Sequence, residues 1–127
     1  MTFKPEHFAV WIEIPVTDLD RSTIFYNTVF KTELKIENTG PNPMGVFPTA
    51  NSPMGVSGHI YPGKPAENGA GPSIHLMCPD ALDETIKRVW DAGGKVLSDP
   101  IEIPPGRFAY CLDLDGNSIG LFEPKAA

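Results

Sequence analysis

The sequence predicts an α+β fold made of two copies of one βαβββ module. Three observations carry that prediction. The order strand, helix, strands runs through the chain twice, and a polar stretch rich in glycine and proline, Pro62–Pro72, separates the two passes. Matching landmarks keep a near-constant offset: Asp18 and Asp80 stand 62 apart, Phe47 and Phe108 61 apart, and Gly55-Val56-Ser57 and Gly116-Asn117-Ser118 61 apart. A lone module of this kind leaves one sheet face bare, and pairing two modules covers it. The expectation is therefore a single domain over residues 1–127, with module 1 at about 8–62, a linker at about 62–72 and module 2 at about 73–124. Its two sheets form a half-open curved surface with a central cleft, the kind of concavity where ligands bind.

The elements follow in order. Phe8–Val16 is β-branched and aromatic, which predicts a strand. Asp18 gives a helix-start signal, and Ile24, Phe25, Val29 and Phe30 continue at helical spacing. Strands are expected at Glu33–Glu37, Met44–Thr49 and Gly55–Tyr61. In the second pass Ser73–Cys78 is a short strand, Asp80 is the expected helix cap, and Leu82, Ile86, Val89 and Trp90 form the buried stripe of an amphipathic helix. Lys87 and Asp91 should face water. Gly93-Gly94 ends that helix, and strands at Lys95–Leu97, Arg107–Leu112 and Ser118–Phe122 complete the module. Gly40-Pro41-Asn42-Pro43 and Ile103-Pro104-Pro105-Gly106 read as rigid turns, and Asp113–Asn117 as the Asp-Gly turn of a hairpin.

Composition narrows the function. Sixteen acidic against ten basic residues give a net charge of −6, with no basic cluster to attract a phosphate backbone or an anionic membrane. Nucleic acid and membrane are excluded as expected partners; the acidity reads first as a means of solubility, and a cationic ligand is the alternative that the field would favour. The N-terminus lacks the apolar run of a signal peptide, so the cytoplasm is the expected location. Two cysteines, Cys78 and Cys111, make neither a disulfide scaffold nor a zinc pair, and their role is left open.

Val16-Thr17-Asp18-Leu19-Asp20-Arg21-Ser22 with Phe25-Tyr26, and Asp80-Ala81-Leu82-Asp83 with Ala92-Gly93-Gly94-Lys95-Val96, resemble the paired signatures of the vicinal oxygen chelate superfamily. That group contains glyoxalase I, bleomycin-resistance proteins and extradiol dioxygenases. The ending from Gly106 to Pro124 is similar to its last hairpin, and the resemblance covers about Phe8 to Pro124. It implies a glyoxalase-like fold. Metal-dependent members take ligands from the first and last strand of each module, and carrying those positions over lands on Trp11, His59, Ile74 and Gly120. Only His59 among them offers a lone pair, so the usual divalent site is absent from the sequence. Glu13 lies two residues from Trp11 and shares its face by strand alternation. A carboxylate between Ile12 and Ile14 needs a partner if buried.

The expected cleft therefore comprises Trp11, Glu13, Phe47, His59, Tyr61, Ile74, Phe108, Tyr110, Gly120 and Phe122. Alternation sends His75, next to Ile74, to the opposite face as a structural histidine, and leaves His7 exposed. The resemblance implies a homodimer that binds an apolar or cationic small molecule without cofactor, as antibiotic-binding members do. The alternative is a glyoxalase-like lyase or isomerase. There Glu13 serves as general base and His59 as acid, or the two hold a divalent metal in an unusual geometry.

Overall fold

The structure is a computed structural model that describes residues 2–38, 40, 42–50 and 56–126. Two sheets repeat one plan. The first holds β1 (Trp11–Val16), β2 (Lys35–Glu37), β3 (Met44–Val46) and β4 (Ser57–Pro62) in the order β1-β4-β3-β2, with helix α1 (Leu19–Phe30) after β1. The second holds β5 (Ile74–Met77), β6 (Lys95–Val96), β7 (Ile101–Ile103), β8 (Gly106–Leu112) and β9 (Ser118–Pro124). Its order is β5-β9-β8-β6, with β7 also paired to β8 and α2 (Leu82–Asp91) after β5. In each sheet the first strand runs parallel to the last, and every other pair is antiparallel. Glu13 faces His59 across the first parallel pair, and His75 faces Gly120 across the second. The offsets at the helix starts and at the last strands thus reflect a true spatial repeat, whereas Phe47 and Phe108 are not equivalent, since Val46 pairs with His59 as Tyr110 pairs with Gly120. The two sheets do not close into a barrel.

Strand ends differ from expectation where a partner is missing. Phe8 and Val10 continue the apolar pattern of β1, yet the first rung is Trp11 opposite Ser57, and both residues stay exposed. Gly55 and Pro41, parts of an expected strand and an expected turn, lie outside the described residues. Ile101–Ile103 is a strand the sequence analysis did not anticipate. It forms a hairpin with β8 across Pro104-Pro105, because Ile103 pairs with Gly106.

Both helices pack on one shared core. Ile14, Val16 and Ile60 come from the first sheet, and Ala109, Cys111, Ile119 and Leu121 from the second. Phe25, Tyr26 and Val29 on α1 and Leu82 and Val89 on α2 lie between them. Alternation fixes the faces: the central strand residues that point to the helices are aliphatic, and the aromatic and polar ones, with Val46, Met77 and Ile101, point away. Ile24, expected on the apolar stripe of α1, is exposed instead.

Two expectations for α2 fail together. Its N-cap is Ala81, with no side-chain cap bond. Asp80 turns aside to take two hydrogen bonds from Arg88 at 2.6 and 3.1 Å and one from Thr85 at 3.1 Å. The Leu82 N–H instead donates to Glu123 Oε1 of β9 at 2.6 Å. The buried stripe is then Leu82, Thr85 and Val89, while Ile86 is half-buried and Trp90 is 54 % exposed. Thr85 displaces Trp90 from the stripe because its hydroxyl is satisfied inside by Asp80 and the Ala81 carbonyl. Lys87 and Asp91 are exposed, as expected.

The β8–β9 turn locks the two modules. Asp115 accepts from the Thr17 N–H and hydroxyl and from the Ser22 hydroxyl at 3.3, 2.5 and 3.4 Å, which places a carboxylate from module 2 at the N-terminus of α1. Asn117 Nδ2 donates to the Pro15 carbonyl at 2.8 Å. Gly116, at φ 84°, supplies the left-handed turn residue, and an added Cβ would crowd the Asn68 backbone of the linker.

Candidate functional site

On the first sheet, the face turned away from the helices gathers Trp11 and Glu13 from β1 with His59 and Tyr61 from β4. Ile12, Ile14 and Ile60 take the opposite face. The Trp11 indole N–H donates to His59 Nδ1 at 3.0 Å. An indole is a donor only, so Nδ1 carries its lone pair and the neutral imidazole holds its proton on Nε2. That nitrogen lies 3.6 Å from Glu13 Oε1. The Tyr61 ring stands edge-on to His59, with centroids 5.8 Å apart. His59 is buried, the Trp11 residue is 47 % exposed and the Glu13 side chain 64 % exposed. Glu13 is therefore not the desolvated carboxylate that its apolar neighbours suggest, since Ile12 and Ile14 point into the core.

The corresponding face of the second sheet departs from expectation at two residues. Ile74 packs with Leu76 against the helix-side core, and it is His75 that lies on the open face. Its imidazole packs on Phe108 and Tyr110, at centroid distances of 5.1 and 5.7 Å. It also fills the space above Gly120, where an added Cβ would fall on the ring. Phe122 lies opposite Phe108 in register and shares this face. The slip has a readable cause. Counting back 19 residues from Gly93, the first glycine beyond α2, leads to Ile74, whereas the seven-residue spacing that links Trp11 to Asp18 leads from Asp80 to Ser73. Ser73 has the parity of His75, and its hydroxyl meets that of Ser118, two residues before Gly120. A one-residue shift in a strand exchanges faces.

Phe47 also leaves the expected group. Its ring stands edge-on to Tyr26 at 5.4 Å on the helix side. With Ile12, Phe30, Ile74, Leu76 and Met77 it lines an apolar groove of about 430 Å³ between β1 and β5. The ten expected cleft residues thus divide into the Trp11–Glu13–His59–Tyr61 group, the Phe108–Tyr110–Gly120–Phe122 group, and Phe47 with Ile74 in the groove.

The donor set does not fit a divalent ion. His59 spends Nδ1 on the indole and turns Nε2–H toward Glu13, Ile74 faces the core, and Gly120 has no side chain. Among the described residues no three His, Cys, Asp or Glu side chains come together to hold a metal. The cysteines are also unsuited to attack. Burial pushes the Cys111 thiol up to about 12 and raises that of Cys78, so neither holds a ready thiolate.

Comparison with known proteins agrees with this fold. Residues 6–121 match the family model of the Glyoxalase/Bleomycin resistance protein/Dioxygenase superfamily. A glyoxylase-like domain-containing protein from Didymella fabae is 32 % identical over 116 residues, covering 84 % of this chain and 86 % of that one. A glyoxalase/bleomycin resistance protein from Albidiferax ferrireducens T118 shares the fold, with a TM-score of 0.70 at 21 % identity over 91 % of this chain and 98 % of its own. So does TnmS3, an antibiotic binding protein from Streptomyces sp. CB03234, with a TM-score of 0.63 at 21 % identity over 97 % of this chain and 100 % of its own. With the repeat in register, two βαβββ sheets around one core and a family match over nearly its whole length, the chain belongs to the glyoxalase/bleomycin resistance protein/dioxygenase superfamily.

Proposed function

We propose that this chain is a cytoplasmic small-molecule-binding protein that works without a divalent metal, as a homodimer. One observation carries the reading: the Trp11 indole N–H occupies His59 Nδ1, beside a surface left half open with the Glu13 carboxylate exposed on it. Such a surface can recognise a guest, while one carboxylate and an imidazole whose Nδ1 is taken are too few ligands for a divalent ion. Exposed apolar side chains away from that face, Met77 and Trp90 among them, favour a second copy as cover. The antibiotic-binding relative supports the same class of function.

The rival reading, a lyase or isomerase with Glu13 as base, draws on the accessibility of that carboxylate. Proton abstraction beside a carbonyl also needs a donor aimed at the developing enolate. Here the Nε2–H of His59 is directed at Glu13 itself, which favours binding.

Metal removal tests the proposal. Saturating EDTA should leave the melting temperature unchanged, because loss of a ligand that binds only the native state would lower it. A fall of several degrees that one divalent ion restores overturns the metal-free reading, and a monomeric mass by light scattering overturns the dimer.

A further inference from the structure

We infer that the guest of the first sheet's open face is an organic ammonium ion: Glu13 takes its charge and the Trp11 ring takes its methyl or methylene groups. This rests on the small-molecule-binding reading and narrows it to one charge class.

The charge count on that face is unusually clean. Register places Lys35, Val46, His59 and Glu13 in one row across the sheet, all on the same side. Lys35 is answered by Glu37 on its own strand, Nζ to Oε1 3.3 Å. His59 has its Nδ1 taken by the indole N–H. Among the described residues Glu13 has no lysine or arginine partner, only the His59 ring at 3.6 Å, and its side chain is 64 % exposed.

The donors nearby are already committed. The indole N–H is on His59, the His59 Nε2–H faces Glu13, and the Ser57 hydroxyl donates to the Phe47 carbonyl at 2.5 Å. Among the described residues that leaves an anionic or neutral guest the Tyr61 hydroxyl, and an anion would also meet the Glu13 charge. With its N–H spent, the indole presents hydrocarbon and π surface outward. A tryptophan face beside a carboxylate is a favourable seat for an ammonium group, and the net charge of −6 steers cations toward it.

Choline and its uncharged isostere, in which a tert-butyl group replaces the trimethylammonium, differ at this site only in charge. The chain has two tryptophans, so NMR shows two indole N–H resonances, with Trp90 as internal control. Choline should shift the Trp11 resonance saturably and bind about tenfold more tightly than the isostere. Glu13→Gln should abolish that preference while the hydrogen-bonded Trp11 signal and the melting temperature persist. Equal affinity for both probes, or a preference that survives Glu13→Gln, overturns the ammonium inference and leaves small-molecule binding standing. If neither probe moves Trp11, or only Trp90 responds, both the inference and the assignment of this face as the binding site fall.

Discussion

Tyr26 shows how one side chain ties the modules together from inside. It is fully buried on α1, and its hydroxyl donates to Asp113 Oδ2 at 2.7 Å, 87 residues along the chain. Asp113 also takes the N–H groups of Asp115 and Asn117 at 2.9 and 3.0 Å and the Asn117 side-chain amide at 2.9 Å. Burial, with the Asp113 carboxylate added to it, raises the Tyr26 phenol well above its ordinary 10.0. A folded value above the unfolded one gives stability that is full below pH 10.0 and is lost as pH rises through the folded value. Tyr26→Phe should cost about 1–3 kcal/mol in urea unfolding at neutral pH, because a buried carboxylate loses a donor. The alkaline fall in stability should also be shallower in the variant. A variant as stable as wild type, with the same alkaline profile, would remove this contact from the account. At this scale the sequence was legible where the anchor lay close to the strand, as Asp18 lies two residues beyond the end of β1. Trp11, Glu13 and His59 come out on one face as expected. Ile74 and His75 exchange faces because their anchor lay beyond a helix.

Helix α2 illustrates what periodicity cannot see. The spacing of Leu82, Ile86, Val89 and Trp90 is that of an apolar stripe, yet the helix turns Thr85 inward because Asp80 waits there to accept its hydroxyl. The same Asp80 holds Arg88 and, at 3.4 Å, Lys31, the residue that follows α1. The Arg88 hydrogen bonds are the largest cause that lowers its carboxyl from the ordinary 3.8 to about 2. A depressed carboxylate contributes stability that is present above its unfolded value and lost as pH falls through the folded one. The window is therefore about pH 4 down to 2. Asp80→Asn should flatten the acid limb of the stability curve across that window, as followed by thermal melts. An unchanged acid limb would mean that Arg88 and Asp80 are not coupled in solution. A polar side chain that belongs inside only because its partner is there has no signature in a hydrophobic pattern.

For the molecule as a whole, the repeat was the most readable feature, because an offset of about 61 residues survives any error in a single element. The joint between the copies was not, since the Asp-Gly hairpin turn reads as local chemistry. Asp115 in that turn serves the N-terminus of a helix 93 to 98 residues away. Asp115→Ala should cost about 1–2 kcal/mol, the usual loss when a helix start loses its acceptor. Amide exchange should quicken at Thr17 and in the first turn of α1 before it does in α2. Uniform exchange across both helices would show that the turn does not couple the modules.

Gly120 and His75 carry a consequence for how this surface can change by mutation. Any side chain at 120 collides with the imidazole, which would have to leave Phe108 and Tyr110 to make room. A carboxylate introduced there first meets an occupied volume, whereas after His75 has become small it meets an empty one. The two positions are therefore epistatic, with a preferred order of substitution: a ligating side chain enters at position 120 only after position 75 has lost its ring.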